Sequence, residues 1–169
     1  MEIILNRKGC IIIRKLAFVF LLISLLPLTG FHRANQLVIT NIDTTIIKAE
    51  RILRYDIKIK NTGNTPFKSE FDYPGQHNYG IEVVIRPNKE LASKMELVEG
   101  SQFIKMIPWG SGSTGIIDSG SEASYHLEYK IKKGTNLKEV KELAFDSALI
   151  ILDGVNIVKE FPLDKVNMD

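Results

Sequence analysis

Six residues, Gly110-Ser111-Gly112-Ser113-Thr114-Gly115, fit the G-x-G-x-x-G spacing that brings a dinucleotide's pyrophosphate against backbone amides. That chemistry requires the loop to follow a strand and open a helix, so that the helix N-terminus meets the phosphate. Here Pro108-Trp109 precedes the motif and a strand-like run follows it. No organic cofactor is expected, and the stretch reads as a flexible surface loop. No Lys-Ser or Lys-Thr pair closes it as a phosphate loop, and its serines lack the G-x-S-x-G setting of a nucleophile elbow. No catalytic set is expected.

Metal chemistry has little to draw on. The chain holds three histidines, His32, His77 and His126. His126 falls on the outward phase of an alternating run, where a solvated imidazole is the simpler reading. His77 has Asp72 nearby in sequence, but one histidine and one acid do not make a zinc site. Asp43, Glu70, Asp72 and Asp118 lack the spacing of a calcium loop. No metal site is expected, and the single cysteine, Cys10, rules out a disulfide within the chain.

What remains is aromatic and borne on loops. Phe71, Tyr73, His77 and Tyr79 lie in one turn-rich segment, and Trp109 adjoins the glycine-rich one. Exposed aromatics on a rigid scaffold are a common recognition surface. The competing reading is that they cover the ends of the fold, with Trp109 plugging its core. Both readings stand on sequence alone.

The elements that carry these residues are strands. Leu53 to Lys60 alternates apolar and charged residues with the period of a half-buried strand, and Asn61-Thr62-Gly63-Asn64-Thr65-Pro66 stops it. Tyr79 to Arg86 repeats the pattern up to Pro87. Ser124 to Lys132 turns Tyr125, Leu127, Tyr129 and Ile131 inward. Phe145 to Leu152 and Val155 to Phe161 flank Asp153-Gly154, a two-residue hairpin link, so these strands are expected to be antiparallel neighbours. An earlier strand covers Gln36 to Ile47, and weaker ones are expected at Lys94 to Val98 and Phe103 to Ile107. One helix of two turns is expected over 135–143, with Asn136 as its cap and Glu139 at the capping-box position. About seven short strands, one short helix and no βαβ alternation predict an all-β, two-sheet antiparallel β-sandwich over residues 35–169.

Residues 1–34 differ from all of this. Arg7, Lys8, Arg14 and Lys15 precede an apolar run from Leu16 to Leu26, the order that export machinery reads. A helix from Leu16 to Phe31 would rise about 24 Å, short of a bilayer core, which suits a cleaved signal peptide. If Ile11, Ile12 and Ile13 join the span, a retained signal anchor results; the topology is the same. Lipidation is not expected, because Phe31 stands where the lipidated cysteine would be. Of 22 basic and 20 acidic residues, four basic and one acidic precede residue 16, leaving 18 against 19. The exported part is thus close to neutral, which argues against nucleic acid as a partner.

Tyr55 to Phe67, an alternating strand ending in an Asn-Thr-Gly turn, resembles the second strand and following turn of bacterial immunoglobulin-like domains. Ile116 to Tyr125 is similar to the turn before a later strand of the same domains. With the leader, the chain resembles the small exported immunoglobulin-like proteins of Gram-positive bacteria; the Cys…Trp…Cys core of antibody domains is absent. The resemblance implies an immunoglobulin-like β-sandwich at the outer face of the cell membrane or secreted. Its expected role is non-catalytic binding of an unknown protein or cell-envelope component, with the membrane contacted through the N-terminal segment. A loop-presenting protease inhibitor, using residues 107–116, is the alternative.

Overall fold

The computed structural model describes residues 34–69, 81–101, 103–112, 115–154 and 156–166. The signal or anchor expected before Ala34 and the loop carrying Phe71, Tyr73, His77 and Tyr79 lie outside these residues. Among the described residues no helix is long and apolar enough to cross a membrane.

Among the described residues nine strands follow in chain order: β1 (Leu37–Ile47), β2 (Ile52–Asn61), β3 (Phe67–Lys68), β4 (Glu82–Pro87), β5 (Pro108–Gly112), β6 (Ile116–Ile117), β7 (Glu122–Lys130), β8 (Ser147–Asp153) and β9 (Asn156–Pro162). Two short helices, α1 (Lys89–Lys94) and α2 (Leu137–Leu143), interrupt them. The strands form a four-stranded sheet in the order β1-β2-β7-β5, a three-stranded sheet β4-β8-β9, and the small pair β3-β6. Every pairing is antiparallel.

Alternation in the sequence is what builds the four-stranded sheet. In β2, Leu53, Tyr55, Ile57 and Ile59 are buried while Lys58 and Lys60 are exposed. In β7, Ala123, Tyr125, Leu127 and Tyr129 are buried. The register sets Tyr55 opposite Leu127 and Ile57 opposite Tyr125, so the two apolar faces coincide. Strand β8 is different: Ala148, Leu149, Ile150 and Ile151 are all buried, as befits the central strand of its sheet. One core cluster joins Tyr55, Ile57, Leu127 and Tyr129 to Val83, Ile85, Leu149 and Ile151, with Leu91 and Val140 added by the helices.

Two tyrosines tie this core with hydroxyls. Tyr129 Oη accepts from the Ile85 amide at 2.9 Å, and Tyr55 Oη donates to the Ala144 carbonyl at 2.7 Å. Their rings meet edge to face, 6.2 Å apart. Burial pushes the Tyr129 phenol up to about 12 and the Tyr55 phenol up as well.

Some local expectations shift. The hairpin pairs Asp153 with Asn156, so the two-residue link starts at Gly154, one residue later than read, with Gly154 at φ 59°. Helix α2 is capped by Asn136, whose Oδ1 accepts from Lys138 N at 2.9 Å. The weak strand expected at Lys94 to Val98 is replaced in part by α1. There Asn88 Oδ1 caps Leu91 N at 2.8 Å and Leu91 and Ala92 are buried, leaving only single bridges at Met95 and Leu97. The weak strand at Phe103 to Ile107 is likewise a single bridge, at Met106.

Candidate functional site

The first half of the glycine-rich stretch, Gly110 to Gly112, is the end of strand β5 rather than loop, and the spacing of its two glycines has a packing cause. Gly110 lies opposite Glu128 and Gly112 opposite His126, so the two glycines share the outward face of β5. A Cβ on Gly112 would stand 2.0 Å from His126 Cε1, and one on Gly110 would stand 3.0 Å from Glu128 Oε2. The outward side chains of β7 lie across β5, over its two glycines, most closely His126 over Gly112. The first two glycines of the apparent phosphate motif are two residues apart because a strand repeats every two.

Trp109 sits where the β5 register shifts between Pro108 and Gly110. Such an extra residue in one strand re-aims its side chain. Trp109 is 52% exposed, with Lys130 Nζ 4.1 Å from its ring centroid. It does not plug the core, as one of the two readings had it.

Just before β5 the chain makes an outward excursion that sequence reasoning missed. Leu97 bridges to Met106 and Val98 N donates to Lys105 O at 2.9 Å, closing a hairpin-like loop. Every described residue from Val98 to Lys105 is exposed, Phe103 at 73% and Ile104 at 43%. The signal available in sequence was Glu99-Gly100-Ser101, a turn with no alternating run after it.

The outer face of the four-stranded sheet beside Trp109 is a charge ladder. Arg54 donates to Asp56 at 2.7 Å and reaches Glu128 at 3.3 Å; the bond to Asp56, with its charge, holds the guanidinium pKa above its ordinary value. Lys58 lies 3.5 Å from Glu122, whose carboxyl is held low mainly by the Thr40 hydroxyl. These groups answer one another across the sheet. His126 is half-buried and on the outward face, as its phase required. Among the described residues no three His, Cys, Asp or Glu side chains group as metal ligands. In the groove between α1 and α2, Lys94 and Glu139 pair at 2.7 Å.

The opposite end of the sheet is built around Asn61, which is fully buried. Its Nδ2 donates to Thr65 O at 2.8 Å and Ile117 O at 3.1 Å, and its Oδ1 accepts from Gly63 N at 2.9 Å. Its backbone bonds Ser121 O and Gly120 N, and Ser119 Oγ donates to Gly63 O at 2.7 Å. The turn after β2 and the turn before β7 are thereby clasped together. Strand β3 pairs Lys68 with Ile116; Phe71, Tyr73, His77 and Tyr79 lie outside the described residues. Trp109 stands at the other end of the sheet. No protein-family model, curated protein or solved structure matches the chain.

Proposed function

We propose that this chain is an exported, envelope-associated, immunoglobulin-like β-sandwich that acts as a non-catalytic binding module, with the Phe103–Trp109 end as its recognition surface. The observation that carries the reading is where the apolar exposure falls. Among the described residues, four of the seven large exposed hydrophobics (Val98, Phe103, Ile104 and Trp109) lie within residues 98–109. Such concentration marks an interaction site more than chance exposure does. The sandwich reading is supported by the core that the two larger sheets share. The immunoglobulin-like reading is supported by the clasp between the two turns that carry the resemblance.

Topology supports the placement. Leu37, where the chain enters the sheet, pairs with Asn61, whereas Ile52 at the other end of β2 pairs with Lys130, beside Trp109. Ten residues of β2 set these ends about 30 Å apart. The proposed recognition end is therefore the end of β2 away from where β1 begins. The protease-inhibitor reading moves from residues 107–116, half of which are the paired strand β5, to the exposed tip at Phe103.

A photo-crosslinking amino acid placed at Phe103 or Trp109 of the full chain in cells is expected to give discrete adducts, and one placed at Lys58 none. Equal labelling at all three positions would sink the reading. A reporter fused after Asp169 is expected to be active only if it works outside the cytoplasm. Cytoplasmic activity would overturn the location.

A further inference from the structure

A sheet edge invites an added strand unless something blunts it. The two larger sheets have four edge strands, and three carry a cap from another element or a charge in mid-strand. On β1 the Lys141 ammonium from α2 caps the Thr44 carbonyl and hydroxyl, and a register shift interrupts the strand at Thr40. On β4 the Ile85 amide is taken by the Tyr129 hydroxyl. On β9 the charges of Lys159 and Glu160 sit mid-strand, with Lys159 Nζ 3.3 Å from Asn35 Oδ1 in the turn before β1.

Strand β5 has neither a cap nor a charge, although it shares a register shift with β1, at Trp109, and starts with a proline. Among the described residues it ends its sheet and pairs only with β7, and it reads Pro-Trp-Gly-Ser-Gly without a charge. Ser111 is exposed, and Trp109 offers an exposed ring at the start of the strand. The charge beside this edge is one-sided. Glu128 is answered by Arg54, whereas among the described residues neither Lys105 nor Lys130 meets a carboxylate.

We propose that β5 recognises its partner by strand addition: an extended, acidic segment of another protein pairs with the free edge of β5, an apolar side chain resting on Trp109 and a carboxylate meeting Lys130. Backbone hydrogen bonds would supply affinity, and the tryptophan and lysine the choice of sequence. The proposal rests on the reading of this end as a recognition surface.

The probe is an eight-residue dye-labelled peptide alternating Asp and Val, titrated into the full chain in neutral detergent and read by anisotropy. Emission of Trp109, the only tryptophan in the chain, gives a second readout. Saturable binding with a shift of that emission is expected, weakened at least about tenfold by Lys in place of Asp or by alternate N-methylation of the peptide backbone. Ser111→Lys is expected to weaken it similarly with the melting temperature unchanged. Should that variant melt early, Lys130→Ala replaces it, with the same weakening expected. No saturable binding, or equal binding of the N-methylated peptide, would overturn strand addition. A concentration-dependent dimer with shifted Trp109 emission in the absence of peptide would give the edge to a second copy and overturn it equally. Cellular adducts at Phe103 and Trp109 without peptide binding would leave recognition standing and remove only this mode of it.

Discussion

The two ends of the four-stranded sheet solve opposite problems with similar materials. At the Asn61 end, a buried amide, two turns and Ser119 bond one another, and the Gln36 side chain packs over Gly63. At the Trp109 end, Phe103 and Ile104 stand exposed on a loop, and the ring of Trp109 meets a lysine rather than the core. An end whose groups are satisfied internally is explained by folding. An end that exposes large apolar side chains is explained by something outside the chain.

The largest expected effect that tests this contrast is at the clasp. Asn61→Ala strands the Ile117 and Thr65 carbonyls and the Gly63 amide, and is expected to cost about 3 kcal/mol in urea unfolding followed by circular dichroism. A loss under about 1 kcal/mol would mean that the clasp is incidental.

The core between the ends gives the next test. An unfolded tyrosine ionises near 10, whereas buried Tyr129 holds its proton up to about 12, so above pH 10 the unfolded chain binds fewer protons than the folded one. Stability is therefore whole below pH 10 and is lost as pH rises toward 12, by about 2 kcal/mol for Tyr129, with Tyr55 acting in the same direction. Urea midpoints at pH 9 and pH 12 measure it, and Tyr129→Phe is expected to flatten the slope. An unchanged midpoint would contradict the buried placement of these rings.

The smallest effect is the one that separates the ends most sharply. Trp109→Ala is expected to change stability by under about 0.5 kcal/mol, the worth of an exposed cation–π contact, while abolishing crosslinks from Phe103. A fall of several degrees in melting temperature with crosslinks retained would assign Trp109 to the structure instead.

Legibility in the sequence followed periodicity. Strands β2 and β7 were readable because charge and apolar residue alternate strictly, and α2 because Asn136 announces its start. Strand β5 was not, since its defining residues are glycines overlain by His126 and Glu128 from the neighbouring strand, and a single strand's sequence does not show what lies across it. Helix α1 hid for a similar reason: its six residues hold only Leu91 and Ala92 in the core, too few for a helical period to register. The surface position of Trp109 depended on a register shift, which pairing creates and sequence does not display. Asn61 read as a turn former; that its side chain reaches Ile117, 56 residues on, is a tertiary fact.

The clasp has one more consequence, for chemistry in the compartment where folding occurs. A small domain that must hold two distant turns together often crosslinks them with a disulfide, which ties its stability to an oxidant. Here Cys10 is the only cysteine in the chain, and the amide of Asn61 makes the connection with bonds that no reductant touches. The β-structure from Leu37 onward is thus indifferent to redox poise, forming equally well in thiol-rich or oxidising surroundings, without an isomerase to sort its pairings.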